Sequence, residues 1–383
     1  MQRFLFLLGL LTCLAAIMAF SQQEQSGFFI TKLGHDTVAV EEYSMSAGEL
    51  HGTSIVRAPR TTVRKYSATF NDAGGLTRFE ITYQRFDSAV FATRTFEYTA
   101  DSVRVTNKQD NTPTATYTLA AAGTPFPLYI DIFGPWQAAI QRALQPANKN
   151  KFSILAGRRL LNYEIKGTTP GAIDLLNPGG DFGPLHAVIG NGGSLEKMDL
   201  TETTDKFVSV RVPSLDVQAL AKDFAARERT GKPSGLLSPR DTVRTAMNGA
   251  SLMIDYGRPS MRGRTIFGNI VPWNTVWRTG ANAATQLITN KDLTIGDTLV
   301  PAGTYSLFTL PKEGGWTLII NKQHGQWGTS YDSTKDLARI PIKTKHLDQP
   351  VEKFTIDIEA EGNAGEIVFQ WENTEGSVEF KVK

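Results

Sequence analysis

From Gly27 to about Thr118 short β-prone runs alternate with turn residues: FFITKL, DTVAVEEY, RKYSATF, LTRFEITYQRF and TRTFEYT. In LTRFEITYQRF, Leu76, Arg78, Glu80, Thr82 and Gln84 alternate with Thr77, Phe79, Ile81, Tyr83 and Arg85. The second set predicts the apolar face of an antiparallel strand whose other face meets water, because successive strand side chains point to opposite sides. Between two of these runs, Asn71-Asp72-Ala73-Gly74-Gly75 supplies residues that tolerate positive φ and reverses the chain. The whole segment reads as a curved β-meander.

Near Pro135 the period changes. Trp136, Ala139, Ile140, Ala143 and Leu144 recur at helical spacing, with proline in the first turn and Pro146 as the stop, so a helix is expected near 135–145. Strands resume at FSILAG, RLLNYEIKG, HAVIGNGG and KFVSVRV, with glycine-rich loops such as NPGGDFGP between them. A second helix near 214–228 shows one apolar stripe of Val217, Leu220, Ala221, Phe224 and Ala225, with Ser214 as its expected cap and Gly231 as its exit. Glycine, proline and serine then predict a linker over 229–240, separating a domain at 22–228 from one at 241–383. The second domain carries eight short β-prone runs, from ASLMIDYG to SVEFKVK, and predicts an antiparallel β-sandwich.

A chain of 383 residues exceeds one ordinary core, in keeping with two domains. With a formal charge of +2 and 20% charged residues there is no basic footprint, so nucleic acid is not an expected partner. The first residues, MQRFLFLLGLLTCLAAIMAFSQQ, place one arginine before an apolar run and a small-residue exit at Ala19-Phe20-Ser21. This pattern predicts a signal peptide over 1–21, export to the periplasm or cell exterior, and no transmembrane segment after cleavage. An uncleaved anchor is the alternative, because the run approaches the roughly 20 apolar residues that span a bilayer. The only cysteine, Cys13, lies inside that run, so the mature chain is expected to hold no disulfide, thiol nucleophile or thiolate metal site.

In the second half, LSPRDTV, YGRPSMRGRTIFGNIVPWNTVWRTGANAAT, VPAGTYSLFTLP, WTLIINK and GQWGTSYD, in this order, together resemble a bacterial family known as domain of unknown function 2911. Tyr256, Gly257, Arg258, Pro259, Gly263, Arg264, Trp277, Arg278, Gly280, Ala281 and Asn282 carry the signature. The resemblance spans about 237–383 and implies an exported bacterial protein without an assigned activity. The first domain has no family resemblance; a curved antiparallel sheet cradling a helix is similar in pattern to periplasmic lipoprotein carriers.

No motif supplies chemistry. Gly-x-Ser-x-Gly, Gly-x-x-x-x-Gly-Lys-Ser/Thr and Gly-x-Gly-x-x-Gly do not occur, and Gly190-Asn191-Gly192-Gly193 reads as a hairpin turn. His35, His51, His186, His324 and His346 are scattered singly, which does not predict a metal site. No cofactor is implied, and the oligomeric state is not legible.

The segment 251–290 nevertheless concentrates Arg258, Arg262, Arg264 and Arg278 against the one acid Asp255, with Trp273 and Trp277 nearby. A guanidinium fork suits carboxylate, phosphate or sulfate and stacks on aromatic faces. The same arginines can equally staple an irregular loop to a sandwich through backbone carbonyls, and Trp327 is either a stacking platform or a plug. Arg258, Arg264, Trp277, Arg278, Asn282 and Trp327 are therefore the candidate contacts of a non-catalytic binding protein for a small or polymeric ligand, a carbohydrate or an anionic envelope component. Two alternatives stay open: a hydrolase with Asp332, Asp336 or Glu372 gathered around Arg278, and a carrier holding a lipophilic ligand in the first domain's curved sheet.

Overall fold

The computed structural model describes residues 24–121, 123–169, 171–178, 183–230 and 236–383. The expected signal peptide with Cys13, the centre of the linker including Gly231, and part of the NPGGDFGP loop lie outside the described residues. The protein is mainly β and divides into two compact units, Met1–Ser234 and Gly235–Lys383.

Among the described residues the first unit is one fifteen-stranded sheet with two helices, α1 (Gly134–Ala143) and α2 (Val217–Arg229). From the edge strand Ala115–Ala120 the order runs backwards along the chain to Gln25–Leu33. It then jumps to Val208–Val212 and runs backwards again to Phe126–Pro127 at the other edge. Neighbours are antiparallel except at that last edge, where Phe126–Pro127 lies parallel to Lys151–Ala156. The sheet curls far enough for its ends to approach: Arg158, near one edge, stands 4.5 Å over the ring of Tyr117 on the other.

Strand alternation decides which side chains enter the curl. Phe79 and Ile81 are fully buried on its inner side, as the LTRFEITYQRF pattern predicts. Leu76 is buried too, out of phase with them, because the ladder slips between Thr69 and Phe70. On the strand Asp36–Met45, Glu41 and Tyr43 face inward, whereas Val40 joins Ile55 and Val63 beneath α2. The cap of α2 is Asp216, whose carboxylate accepts from the Ala219 amide at 2.8 Å, and not the expected Ser214. An acid at this position also complements the helix dipole.

Helix α1 fills the curl. Its sequence shows one apolar stripe, yet Trp136, Gln137, Ala138, Ala139, Ile140 and Ala143 are all buried, because sheet surrounds it. Phe133 packs on Phe29 at 5.4 Å. Each large side chain so buried contributes about 1.5–3 kcal/mol. The buried Gln137 is matched: it donates to the Gly193 carbonyl at 2.7 Å and accepts from the Leu195 amide at 2.5 Å.

The N-terminal end of α1 is held by Glu41. Its carboxyl accepts from the Phe133 amide at 2.5 Å, the Gly134 amide at 3.0 Å and the Tyr66 hydroxyl at 2.5 Å. Gly134 must be glycine, since a Cβ there would overlap the Tyr66 hydroxyl. Burial pushes the Glu41 carboxyl up to about 7, against the pull of Tyr66, the two amides and the Arg64 charge. Arg64 is itself paired with Asp131 at 2.9 Å.

The second unit is a nine-stranded antiparallel sheet folded over on itself as a sandwich. The turn of the fold is the strand Asp336–Glu361, whose first residues pair with Gly315–Asn321 and whose later ones pair with Ala364–Val382. RIPIKT and EKFTIDIEAE, expected as separate strands, are thus one, as are GEIVFQWE and SVEFKVK. Register shifts between His346 and Val351 and between Val351 and Thr355 let the ladder bend without ending. Tyr256 and Phe354, from opposite layers, meet edge-on at 5.7 Å in the core.

Because the folded state raises the Glu41 pKa from 4.5 to about 7, it holds a proton that the unfolded chain has released. The stability this gives is fully present below pH 4.5 and is lost as pH rises through 7, a change of roughly 3 kcal/mol. Urea midpoints of the full chain should fall across this window, and Glu41→Gln, which keeps an acceptor oxygen but cannot ionise, should flatten the fall. An unchanged slope in that variant would assign the proton elsewhere.

Candidate functional site

The glycines of the arginine-rich segment explain why it has a signature. A Cβ on Gly257 would overlap the backbone of Ala281, and one on Gly280 would lie 2.7 Å from the Gly257 carbonyl oxygen. Two backbone runs therefore cross in contact, and Gly280, at φ 151°, sits where other residues are strained. Arg258 secures one run, donating to Asp241 at 3.0 Å, Thr355 Oγ1 at 3.1 Å and the Phe354 carbonyl at 3.3 Å. Arg264 donates to the carbonyls of Met261 at 2.9 Å and Ser260 at 2.8 Å. Both forks are directed at the scaffold.

Trp277 lies in an aromatic cluster closing one end of the sandwich. It stacks on Trp371 at 5.8 Å and meets Phe354 at 5.0 Å, while Phe267 packs on Trp316 at 4.8 Å and Trp273 at 5.9 Å. Its backbone exchanges two hydrogen bonds with Thr309. Trp327 is outside this plug: its indole is 52% exposed, on a loop bridged to Ala283. The structure brings it together with Asn282 and Arg278, because the Gly328 amide donates to the Asn282 carbonyl at 2.9 Å and Gly328 packs on the Arg278 side chain. Asn282 is exposed, at φ 64°, and its amide reaches the Ser238 carbonyl at 3.4 Å.

The three carboxylates considered for hydrolysis serve local geometry. Glu372 accepts from the Ile266 and Phe267 amides at 3.1 and 3.2 Å, holding the loop that carries the plug. Asp332 caps a short turn through the Thr334 amide at 2.9 Å. Asp336 takes Arg339 at 2.8 Å and the Tyr331 hydroxyl at 2.7 Å. His186, one of the scattered histidines, lies between Asp174 at 2.7 Å and Glu202 at 3.1 Å. The Asp174 hydrogen bond raises its pKa above the ordinary value.

The first unit also holds cavities that no sequence motif marks. Two clefts border α1. The smaller, of about 460 Å³, is lined by Thr124, Phe126, Arg142, Lys151, Phe152 and Tyr163. The larger, of about 770 Å³, is lined by Met45, Phe70, Asn71, Phe126, Arg142 and Leu144. Both volumes lie within the range of about 300–1,000 Å³ typical of small-molecule sites. Phe152 and Tyr163 stack at 5.5 Å, and Trp136 meets Tyr163 edge-on at 5.8 Å, so the smaller cleft has a rigid aromatic wall. Phe126 and Arg142 border both clefts.

Residues 238–380, nearly all of the second unit, match the model of a family described as protein of unknown function (DUF2911). The resemblance carried by the arginine-rich signature and its companions is thereby shown for this part of the chain. No curated protein matches. One solved structure, a double mutant of the vaccine antigen transferrin binding protein B from Haemophilus parasuis Hp5, is 8% identical and aligns over 94% of this chain and 76% of its own. Its TM-score of 0.14 is too low for its fold to inform this one.

Scaffold and surface roles separate on substitution. Gly257→Ala, which forces a side chain into the Ala281 backbone, should destabilise the second unit by about 1–3 kcal/mol. Trp327→Ala should stay within about 0.5 kcal/mol of the parent. Calorimetry of the two variants checks both; equal losses would place Trp327 in the scaffold.

Proposed function

We propose that the protein is an exported, non-catalytic binding protein whose first unit takes a lipophilic small molecule into the clefts beside α1. The observation that carries this reading is the pair of clefts, about 460 and 770 Å³, sharing Phe126 and Arg142 against a helix that is otherwise largely buried. Apolar walls with a few polar groups are the usual build of a small-molecule site. Arg258 and Arg264 enter the reading as loop staples, since their forks are taken up by the scaffold. Among the described residues no helix is long and apolar enough to cross a membrane.

A second reading is favoured by the half-exposed indole of Trp327 beside Asn282 and Arg278. An exposed aromatic face next to the exposed Asn282, with the Arg278 side chain packed against Gly328, suits a sugar ring or an anionic glycan. In this reading Trp327→Ala lowers retention on an immobilised acidic polysaccharide and leaves cleft binding unchanged.

The cleft reading is tested on the full chain with N-phenyl-1-naphthylamine, which brightens in apolar surroundings. Saturable enhancement is expected. Asn162→Trp, on the rim of the smaller cleft, and Ala47→Trp, on the rim of the larger, should lower it, because both start from exposed positions and add bulk toward the space. No saturable signal, or a signal indifferent to both substitutions, would sink the reading.

A further inference from the structure

We propose that Arg142 is the head-group receptor of the clefts and that their ligand is a single-chain amphiphile ending in a carboxylate, a proposal that rests on the cleft reading above. Arg142 stands in the last turn of α1, half-buried, where both clefts reach it. Among the described residues its guanidinium donates one hydrogen bond, from Nη1 to Thr124 Oγ1 at 2.5 Å, and pairs with no carboxylate. The other well-buried arginines of this unit are differently provided for. Arg64 has Asp131 at 2.9 Å, and Arg211 has Glu196 at 3.7 Å together with the Tyr43 hydroxyl at 2.6 Å.

A guanidinium drawn partly out of water without a counter-charge loses solvation that nothing in the protein replaces in full. Burial accordingly weakens the hold of Arg142 on its proton relative to an ordinary arginine, with no acid acting the other way. The position at the C-terminal end of α1 compensates part of this through the helix dipole, and the remainder is an unmet demand for an anion.

Geometry narrows the anion. With Nη1 turned to Thr124, Nε and Nη2 donate to none of the described residues. These two atoms form the side edge of the guanidinium, which matches the two oxygens of a carboxylate in parallel hydrogen bonds. Lys151 adds a second positive charge to the lining of the smaller cleft, and the one acid there, Glu164, lies 4.0 Å from Lys166. Away from Arg142 the walls turn apolar, with Phe152 and Tyr163 on one side and Met45, Phe70 and Leu144 on the other. The larger cleft gives an alkyl chain the greater room.

The test is displacement of bound N-phenyl-1-naphthylamine from the full chain by hexadecanoate, hexadecanol and hexadecyl phosphate, at a pH where the acid is ionised. Hexadecanoate should displace the probe at about tenfold lower concentration than hexadecanol, as expected of charge-assisted hydrogen bonds. Arg142→Met should remove that preference while leaving hexadecanol unchanged, and Arg142→Lys, which keeps the charge without the fork, should restore part of it. If Arg142→Met fails to fold, Thr124→Val, which frees Nη1 and keeps the guanidinium, should shift the preference without a change in hexadecanol. Equal displacement by acid and alcohol in the parent protein overturns the head-group assignment and leaves the cleft reading standing, and stronger displacement by the phosphate overturns the choice of carboxylate. Absence of probe binding removes both.

Discussion

A single carboxyl, Glu41, ties the helix to the sheet in the first unit. It receives the amides of Phe133, the N-cap of α1, and of Gly134, its first residue, together with the Tyr66 hydroxyl. Those amides have no partner within a helix, and buried without one they would oppose folding. The interaction also fixes where the helix begins, and the packing of Phe133, Trp136 and Ile140 follows from that position. The two clefts are the volume that a ten-residue helix, so placed, does not fill.

The second unit depends on a different constraint, the crossing of two backbones at Gly257 and Gly280. Close approach there lets an irregular segment lie across the sandwich with few strand hydrogen bonds, and the arginines supply what a ladder would otherwise provide. Arg258 and Arg264 spend their donors on carbonyls and neighbouring side chains, while Glu372 fixes the same segment from the opposite side by holding the Ile266 and Phe267 amides. The aromatic cluster of Phe267, Trp277 and Trp371 is seated by these contacts. A pattern rich in arginine and tryptophan thus arises here mainly from the needs of a loop.

Alternation and turn residues made most of the fold legible in the sequence: the inward set Phe79 and Ile81, the reversal at Asn71 to Gly75, and α1 with its proline in the first turn. Bends were not legible, because a bulge such as that between His346 and Val351 leaves the hydrophobic pattern looking like two strands. The cap of α2 was misread because Ser214 and Asp216 are both competent acceptors, and only the path of the chain selects between them. The clefts were hidden for a related reason. Arg142 flanks the apolar stripe of α1 and reads as a solvated residue, whereas the curled sheet brings Thr124 and Phe152 around it from distant segments. Trp327 was visible as a choice between platform and plug, and its neighbours, not its type, decide its exposure.

The curl of the large sheet ends at a seam. Across it Arg158 faces the ring of Tyr117, a contact worth about 0.5–1 kcal/mol where water has access, while adjacent strands elsewhere are joined by rows of backbone hydrogen bonds. Further contacts close this margin: the Leu76 amide donates to Thr124 Oγ1 at 3.1 Å, the Tyr98 hydroxyl to the Pro125 carbonyl at 2.8 Å, and Phe70 packs on Phe126 at 6.0 Å. The edge strand Phe126–Pro127 belongs to the margin of this seam, and Phe126 is also a wall shared by both clefts. The boundary of both clefts is therefore drawn by side chains where the sheet's own ladder stops, like a sleeve closed with buttons and not with stitches.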